Sequence, residues 1–319
     1  MWLDSTPINI LAAAMLVALL VDYCFGEPPV RWHPVVWMGN YLARAGRLFA
    51  PEIDKLSRNP LRELTAGALA WWVGVAGVSI LAAVVSMWVA TMHWVVQVAL
   101  VGLLLKPMLA WRVLRDEVRD VEYALQRSLP EGQQQVARLV SRDVNTLNEA
   151  QVRQAAISTL AENLNDSVVA PLFWFVLFGL PGAAVYRFAN TADAMWGYRG
   201  ERAGRDWTWA GKWAARADDV LSWVPARITA LLIALWFKGR GLQQLPAVAQ
   251  QTPSPNGGWP MGALALGMNI RLEKEGVYCL NAQGDEPRSA HTAVALHACA
   301  QVVVFVAFLG MVAVLWGLA

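Results

Sequence analysis

Glu162, Asn163, Asn165 and Asp166 crowd into five consecutive positions at the edge of an uncharged run over residues 168–186. Carboxylates so placed can hold a divalent cation or accept a proton, and the amides beside them can orient a substrate. Polar and ionisable groups next to hydrocarbon are costly, so their retention points to a site. On a helix, Glu162, Asn165 and Asp166 stand at i, i+3 and i+4 and share one face. The competing reading is structural: a capped, solvated first turn ahead of a membrane segment.

Phosphate chemistry is suggested further along the chain. Asn190, Thr191 and Asp193 precede the glycine-bearing loop Met195-Trp196-Gly197-Tyr198-Arg199-Gly200-Glu201. Arg216, Asp219, Trp223 and Arg227 then follow at i, i+3, i+7 and i+11, close to one helical face, with Asp218 alongside. Carboxylates hold Mg²⁺ against phosphate oxygens, and guanidinium forks match phosphate geometry. Structural pairing of Arg216 with Asp219 explains those two equally well but leaves Asn190, Thr191 and Asp193 unexplained. A tight loop, Ser254-Pro255-Asn256-Gly257-Gly258-Trp259-Pro260, carries turn chemistry. Another polar group, Asp22, Gly26-Glu27-Pro28-Pro29 and His33-Pro34, lies where the first apolar stretch ends, with Trp32 and Trp37 as interfacial anchors.

The elements that must position these groups are membrane helices. The 319 residues are 56% hydrophobic and only 16% charged, and residues 64–105 hold no Asp, Glu, Lys or Arg at all. A bilayer core takes about 20 apolar residues per helix, so that run makes two spans turning near Thr91-Met92-His93. Residues 8–21 and 302–318 make two more. The stretch 168–186 is interrupted by Gly179-Leu180-Pro181-Gly182, which predicts a re-entrant turn, and 220–237 contains Pro225 and Arg227, which predicts a partial or broken span. The expected fold is all-α and polytopic. Its single catalytic domain, 1–319, has spans near 6–22, 64–90, 92–110, 168–186, 220–237 and 301–318. Polar segments cover 31–62, 111–165, 187–219 and 238–298. Within 111–165, Val113, Val118, Val121 and Leu125 recur at near-helical spacing, Pro130-Glu131-Gly132 breaks the pattern, and a second amphipathic stretch runs from about Gln134 to Leu160. These helices form a cap leading into Glu162.

Several function classes are excluded or disfavoured. Met1-Trp2-Leu3-Asp4 lacks a basic n-region, so the first apolar stretch is a retained anchor. Segment 31–62 holds six Lys/Arg and 106–153 holds eight, which puts both on the cytoplasmic side and the N-terminus outside. A net charge of +2 gives nucleic-acid binding no electrostatic support. Cys24, Cys279 and Cys299 have no metal-ligand spacing and read as buried small hydrophobes; His33, His93, His291 and His297 are equally scattered. The nearest approach to a P-loop, Gly204…Gly211-Lys212-Trp213, has the wrong spacing. No internal repeat is visible, which argues against a secondary transporter.

Taken in order, six elements resemble one known family. They are Asp22-x3-Gly26-Glu27-Pro28…His33-Pro34-Val35, Ala161-Glu162-Asn163…Asp166, Ala170-Pro171-Leu172-Phe173, Asn190-Thr191-x-Asp193-x-Met195-x-Gly197-Tyr198, Ala215-Arg216-x-Asp218-Asp219-Val220…Pro225-Ala226-Arg227 and Ser254-Pro255-Asn256. The combination, over about residues 18–285, is similar to the adenosylcobinamide-phosphate synthases, the CobD/CbiB membrane proteins of cobalamin biosynthesis. A signalling membrane protein of the beta-lactamase-regulation type shares Ala170-Pro171-Leu172-Phe173-Trp174 and Trp223-Val224-Pro225-x-Arg227 but lacks the Glu162-Asn163, Asn190-Thr191-x-Asp193 and Ser254-Pro255-Asn256 elements.

The resemblance implies a bacterial inner-membrane ligase. It would join the free propionate carboxyl of adenosylcobyric acid to the amine of (R)-1-aminopropan-2-ol phosphate, with ATP and Mg²⁺, and would gather with other late cobalamin enzymes at the membrane lipid. On that reading Glu162, Asp166 and Asp193 are the catalytic carboxylates, binding Mg²⁺ or accepting protons, and Asp218 and Asp219 bind metal or position arginines. Asn163 and Asn190 orient substrate, together with Thr191 and Tyr198. Arg199, Arg216 and Arg227 clamp phosphates, Asn256 contacts corrinoid side amides, and His33 with Asp22 lines the entrance. The chain departs from the family pattern at Ser158, where many members carry Glu, at Asn165 in place of an apolar residue, and at Ser167 in place of Gly. The phosphorylated amino alcohol, its unphosphorylated form and ethanolamine phosphate remain alternative amines.

Overall fold

The computed structural model describes residues 8–53 and 59–317. The starting Met1-Trp2-Leu3-Asp4, residues 6–7 and 318 of the expected first and last spans, and Lys55 and Arg58 of the first basic segment lie outside the described residues. In chain order the helices are α1 (Ile8–Phe25), α2 (Pro34–Phe49), α3 (Pro60–Ala90), α4 (Trp94–Leu105), α5 (Trp111–Arg127), α6 (Leu129–Val136), α7 (Glu149–Leu164) and α8 (Ala170–Trp196). Strands β1 (Glu201–Arg202) and β2 (Arg205–Asp206) lead to α9 (Lys212–Leu221), α10 (Trp223–Trp236), α11 (Leu245–Ala249) and α12 (Gly258–Met268). Strands β3 (Leu272–Lys274) and β4 (Tyr278–Leu280) precede α13 (Ser289–Trp316). The two short antiparallel hairpins were not expected from sequence; strands of two or three residues are too short to display alternation.

Five stretches are long and apolar enough to cross a membrane: Ile8–Phe25, Pro60–Ala90, Trp94–Arg127, Glu149–Trp196 and Ser289–Trp316. The pair α9–α10, bent by 47°, would be a sixth. The protein is an all-α polytopic membrane protein with broken segments.

The chain divides into two compact units. The first comprises Met1–Leu109, Ala170–Leu221 and Gly310–Ala319, and the second Ala110–Val169 and Ser222–Leu309. In the first, helices approach closely at small residues, as expected where no hydrophobic drive separates helix from lipid. A Cβ on Gly102 of α4 would come within 2.7 Å of Val17 on α1. Gly74 of α3 is pressed in the same way against the Phe188 ring of α8. At the end of α8, Trp196 stacks on Trp207 with centroids 6.2 Å apart, and its indole N–H donates to the Leu42 carbonyl of α2 at 3.2 Å.

Helix α8 is interrupted where the glycine-proline run predicted. Gly179 has φ 64° and ψ −154°, a region closed to side chains. Gly182 lies against the Trp174 carbonyl, whereas residues eight apart in a straight helix are about 12 Å apart. The chain therefore doubles back at Gly179.

In the second unit, α5 buries Leu114, Val118, Val121 and Leu125. Val113, expected on that face, is exposed; Leu114 takes its place, one step round the helix. The stretch from Gln134 to Leu160 is not one amphipathic helix. Helix α6 ends at Val136, and α7 starts afresh behind an Asn148/Gln151 capping box. Nor is α7 amphipathic, since nine of its residues, including Gln154 and Ser158, are buried. The buried Glu122 of α5 is met by Arg153 of α7 (Nε to Oε2 3.0 Å, Nη2 to Oε1 3.0 Å) and by Thr292 of α13 (3.1 Å). Of the cysteines expected inside, Cys299 is buried, Cys279 is half-buried and Cys24 is exposed.

Gly179→Ala should lower stability by about 1–3 kcal/mol, because a Cβ is forced into a glycine-only conformation. Gly77→Ala on α3, where a Cβ meets nothing within 4 Å, should be neutral or stabilising. Thermal unfolding of the two variants in detergent checks the contrast.

Candidate functional site

In the second unit the site is built on a defect in a helix. Between α7 and α8 the residues Asn165–Val169 form a π turn, whose wider winding shifts every later side chain round the axis and which recurs at functional sites. Asn165 is rotated inward and is 2% exposed. Its side-chain oxygen accepts from Thr229 Oγ1 of α10 at 3.1 Å, and its Nδ2 donates to Asp166 Oδ1 at 2.8 Å. The Ser167 carbonyl, displaced from helical pairing, accepts from Ala110 N at 3.0 Å. Glu162, Asn165 and Asp166 consequently do not share one face: Glu162 is exposed, Asp166 half-buried and Asn165 interior. Glu162 is also no first-turn residue, since it sits in the last turn of α7. Asn163 folds back to donate to the Thr159 carbonyl at 3.1 Å.

The loop after α11 is drawn to this carboxylate. Ser254 Oγ accepts from the backbone N–H groups of Asn256 and Gly257, each at 3.2 Å, which sets a tight side-chain turn. A Cβ on Gly257 would lie 3.2 Å from Glu162 Oε1, so glycine gives Glu162 its room. The same turn presents Asn256 Oδ1 to Arg227 Nη1 at 2.7 Å and the Pro255 carbonyl to Nη2 at 3.1 Å. The Arg227 guanidinium also lies over the Trp223 ring (4.3 Å) and the Trp259 ring (4.6 Å), so two cation–π contacts orient it.

Tyr278 of β4 completes this group. Its hydroxyl reaches Met261 Sδ at 3.7 Å, and the Met261 methyl lies beside Gly257. Burial pushes the Tyr278 phenol up, the Ser158 hydroxyl pulls it down, Glu162 adds to the rise and Arg142 opposes it; the balance is upward. Tyr278 thus stays protonated at neutral pH. Sequence reading gave Tyr278 no part, because it belongs to no motif and three-residue strands leave no periodic signal.

In the first unit, Asn190 Nδ2 of α8 donates to Asp218 Oδ1 of α9 at 3.4 Å. The Asp193 carbonyl accepts from Gly197 N at 2.7 Å, and its carboxylate packs where a Gly197 Cβ would be, so only glycine fits. Arg216 and Arg199, both exposed, are the cations that act on Asp219. Thr191 Oγ1 donates to the Arg187 carbonyl at 2.7 Å, and Tyr198 Oη donates to the Ala194 carbonyl at 3.1 Å beneath the Arg202 guanidinium. The single helical face expected for Arg216, Asp219, Trp223 and Arg227 is absent. The 47° bend between α9 and α10 interrupts it, and the first two residues belong to one unit, the last two to the other.

His33 of the first unit has a fixed role. Its Nδ1 accepts from Val35 N at 3.2 Å, so Nε2 carries the proton and donates to Glu27 Oε2 at 2.8 Å. Lys106 Nζ, buried, bridges Glu27 Oε1 at 2.9 Å and Asp22 Oδ1 at 3.2 Å. Burial alone would raise the Glu27 carboxyl, but hydrogen bonds from His33 and Lys106 outweigh it and hold Glu27 below its ordinary value. Lys106 counted in the sequence only as an orienting charge.

Among the described residues, no three His, Cys, Asp or Glu side chains converge to hold a metal ion. Mg²⁺ commonly takes one or two carboxylates and completes its shell with water and phosphate oxygens, so it does not require such a cluster.

Membrane-length helices carrying carboxylates, amides and a stacked arginine at their broken ends define a polytopic membrane protein with polar groups gathered at helix breaks. The chain belongs to the CobD/CbiB family: the pattern described as "CobD/Cbib protein" matches residues 15–306. It is 35% identical over 322 residues to the cobalamin biosynthesis protein CobD of Rhodobacter capsulatus, covering 96% of this chain and 98% of that one. Probable cobalamin biosynthesis proteins CobD of Thermococcus kodakarensis and Methanothermobacter thermautotrophicus are 39% and 35% identical. The first covers 86% of both chains, the second 84% of this chain and 86% of its own. No solved structure matches.

Lys106→Met should cost about 3–5 kcal/mol by leaving buried carboxylates without their ammonium. Because the folded Glu27 value is depressed, its stabilisation is present above the ordinary glutamate range and is lost as pH falls through the folded value. Thermal midpoints against pH should show that acid limb, and Glu27→Gln should flatten it. Thr229→Val strands the buried Asn165 oxygen and should cost about 1–3 kcal/mol in the same assay.

Proposed function

We propose that the chain is an adenosylcobinamide-phosphate synthase of cobalamin biosynthesis. It makes an amide between the free propionate carboxyl of adenosylcobyric acid and the amine of (R)-1-aminopropan-2-ol phosphate, at the expense of ATP. The observation that carries this reading is the loop Ser254–Asn256, which seats Arg227 between two indoles and approaches Glu162 with Gly257. An anion clamp beside an exposed carboxylate suits an acyl transfer that handles phosphate and releases a proton.

A carboxylate is a poor acyl donor, so its oxygen first attacks the γ-phosphorus and ADP leaves. The amine nitrogen then attacks the acyl carbon, phosphate leaves, and the nitrogen gives up its proton. Arg227 holds the phosphate or carboxylate anion through a fork already oriented by Asn256 and Pro255. Glu162 accepts the amine proton. Within the second unit Asp166, aligned by Asn165, is the candidate to meet the Mg²⁺ of the nucleotide, which supplies neutralising charge at the phosphate oxygens; the Asn190–Asp218 and Asp193 groups are the first unit's own, separate candidate. Arg199 and Arg216 are the first unit's own cations for phosphate. In this reading Asn163, Thr191 and Tyr198 support their own helices through backbone carbonyls, and His33 orders the Glu27–Lys106 pair.

The Lys/Arg bias supports a cytoplasmic side for the polar segments and an inner-membrane setting for the spans. Retention in the membrane beside other late corrinoid enzymes fits this placement. Nucleic acid has no part in it.

The purified protein in detergent, given ATP, Mg²⁺, adenosylcobyric acid and (R)-1-aminopropan-2-ol phosphate, should form the amide only when ATP is present. Glu162→Gln should lower kcat by about 10²–10⁴, and Asp193→Asn should raise the Mg²⁺ needed for half-maximal rate. Turnover unchanged in both variants overturns the site assignment; no amide from folded wild type overturns the ligase reading.

A further inference from the structure

A cleft of 620 Å³ runs along α3 in the first unit, lined also by residues of α2, α4 and α8. Leu180 and Phe188 of α8 are buried where they border it, so the cleft is cut into the helix packing. A Cβ on Gly77 would meet nothing within 4 Å, and from Gly77 to Val85 the α3 wall is wholly apolar. Toward the start of α3 the cleft continues into a second hollow of 520 Å³, the two sharing Trp37, Tyr41 and Val73. Tyr41 Oη donates to the Ala70 carbonyl at 2.7 Å, so the side chain at this junction has its polar atom already satisfied. Among the described residues that line the two hollows, Arg44 alone is charged, and it is exposed.

We propose that this cleft holds one anionic glycerophospholipid, with an acyl chain along Gly77–Val85 and its phosphate at Arg44. Length fits: from Ala70, which borders the Arg44 hollow, to Val85 is about 22 Å of helix. One leaflet is about 20–22 Å, half of a bilayer with its headgroup layers. Charge fits as well. The groove is apolar along its length and cationic at one end, the reverse of a lipid that is apolar along its chains and anionic at its head. A guanidinium fork matches phosphate geometry, and Arg47 follows one turn on from Arg44, also exposed. Basic groups at a membrane surface favour anionic headgroups by about fivefold for each cation. Trp37 and Tyr41 stand between the charged and apolar stretches, the depth at which aromatic belts meet headgroups. Nothing in this site depends on the ligase reading.

The test titrates delipidated full-length protein in detergent with dioleoylphosphatidylglycerol or dioleoylphosphatidylcholine, and native mass spectrometry counts the lipid retained per chain. One phosphatidylglycerol should be retained, about fivefold more tightly than phosphatidylcholine. Arg44→Gln should bring the two lipids to equal affinity. Gly77→Leu, which fills the cleft, should weaken both about tenfold. Thermal midpoints without lipid report folding, and if Gly77→Leu fails to fold, the exposed Arg44→Gln decides alone. Equal retention of the two lipids by wild type, a preference that survives Arg44→Gln, or lipid binding untouched in folded Gly77→Leu overturns the site. A dimer that Gly77→Leu converts to monomer with lipid retention unmoved gives the cleft to a second copy and overturns it too.

Discussion

Charge taken out of water has to be met inside the protein, and that constraint governs how both units of this chain are built. In the first unit Lys106, placed where α4 gives way to a short 3₁₀ turn, is held by Asp22 from the end of α1 and by Glu27 from the loop beyond it. Glu27 in turn takes the proton of His33, which caps α2. One ammonium group thereby sets the spacing of three helix ends. Glu122 and Arg153 do the same in the second unit, tying α5 to α7, with Thr292 bringing in α13.

The second unit's polar group shows how a site can be made rigid without a metal cage. Arg227 is restrained by two ring faces and by a loop that is itself set by one serine hydroxyl. Each restraint lowers the conformational freedom lost when an anion binds. Glu162, by contrast, is exposed, and Gly257 leaves room beside its oxygen. In the proposed acyl transfer, an oriented guanidinium would hold the acid while an exposed carboxylate takes the proton that the amine loses.

Much of this was legible in residue order because it depends on local composition. Forty-two uncharged residues from 64 to 105 cannot be anything but hydrocarbon-facing or buried helix, and α3 and α4 meet at the Thr91-Met92-His93 turn expected of them. Gly179 and Pro181 announced the reversal in α8, since only glycine enters the conformation found there. The Ser254-Pro255-Asn256 loop was legible as a turn, but its approach to Glu162 was not, because that contact is non-local. The π turn was equally silent: Asn165 reads as an ordinary helical residue until Thr229 is seen to draw it inward.

By itself, the sequence determined the class of protein, the approximate spans and the identity of the polar residues, because hydropathy, glycine and proline act within a turn or two of chain. Only the tertiary structure decided which of those polar residues are tied to backbone carbonyls and which stay exposed. Thr191 and Tyr198 are satisfied by their own helix, and Val113 turns outward in favour of Leu114. Tyr278, which no motif links to Met261, comes to meet its sulfur at 3.7 Å. The physical reason is that a side chain's partners are fixed by the packing of distant elements, and a one-residue change in helical winding is enough to exchange interior for surface.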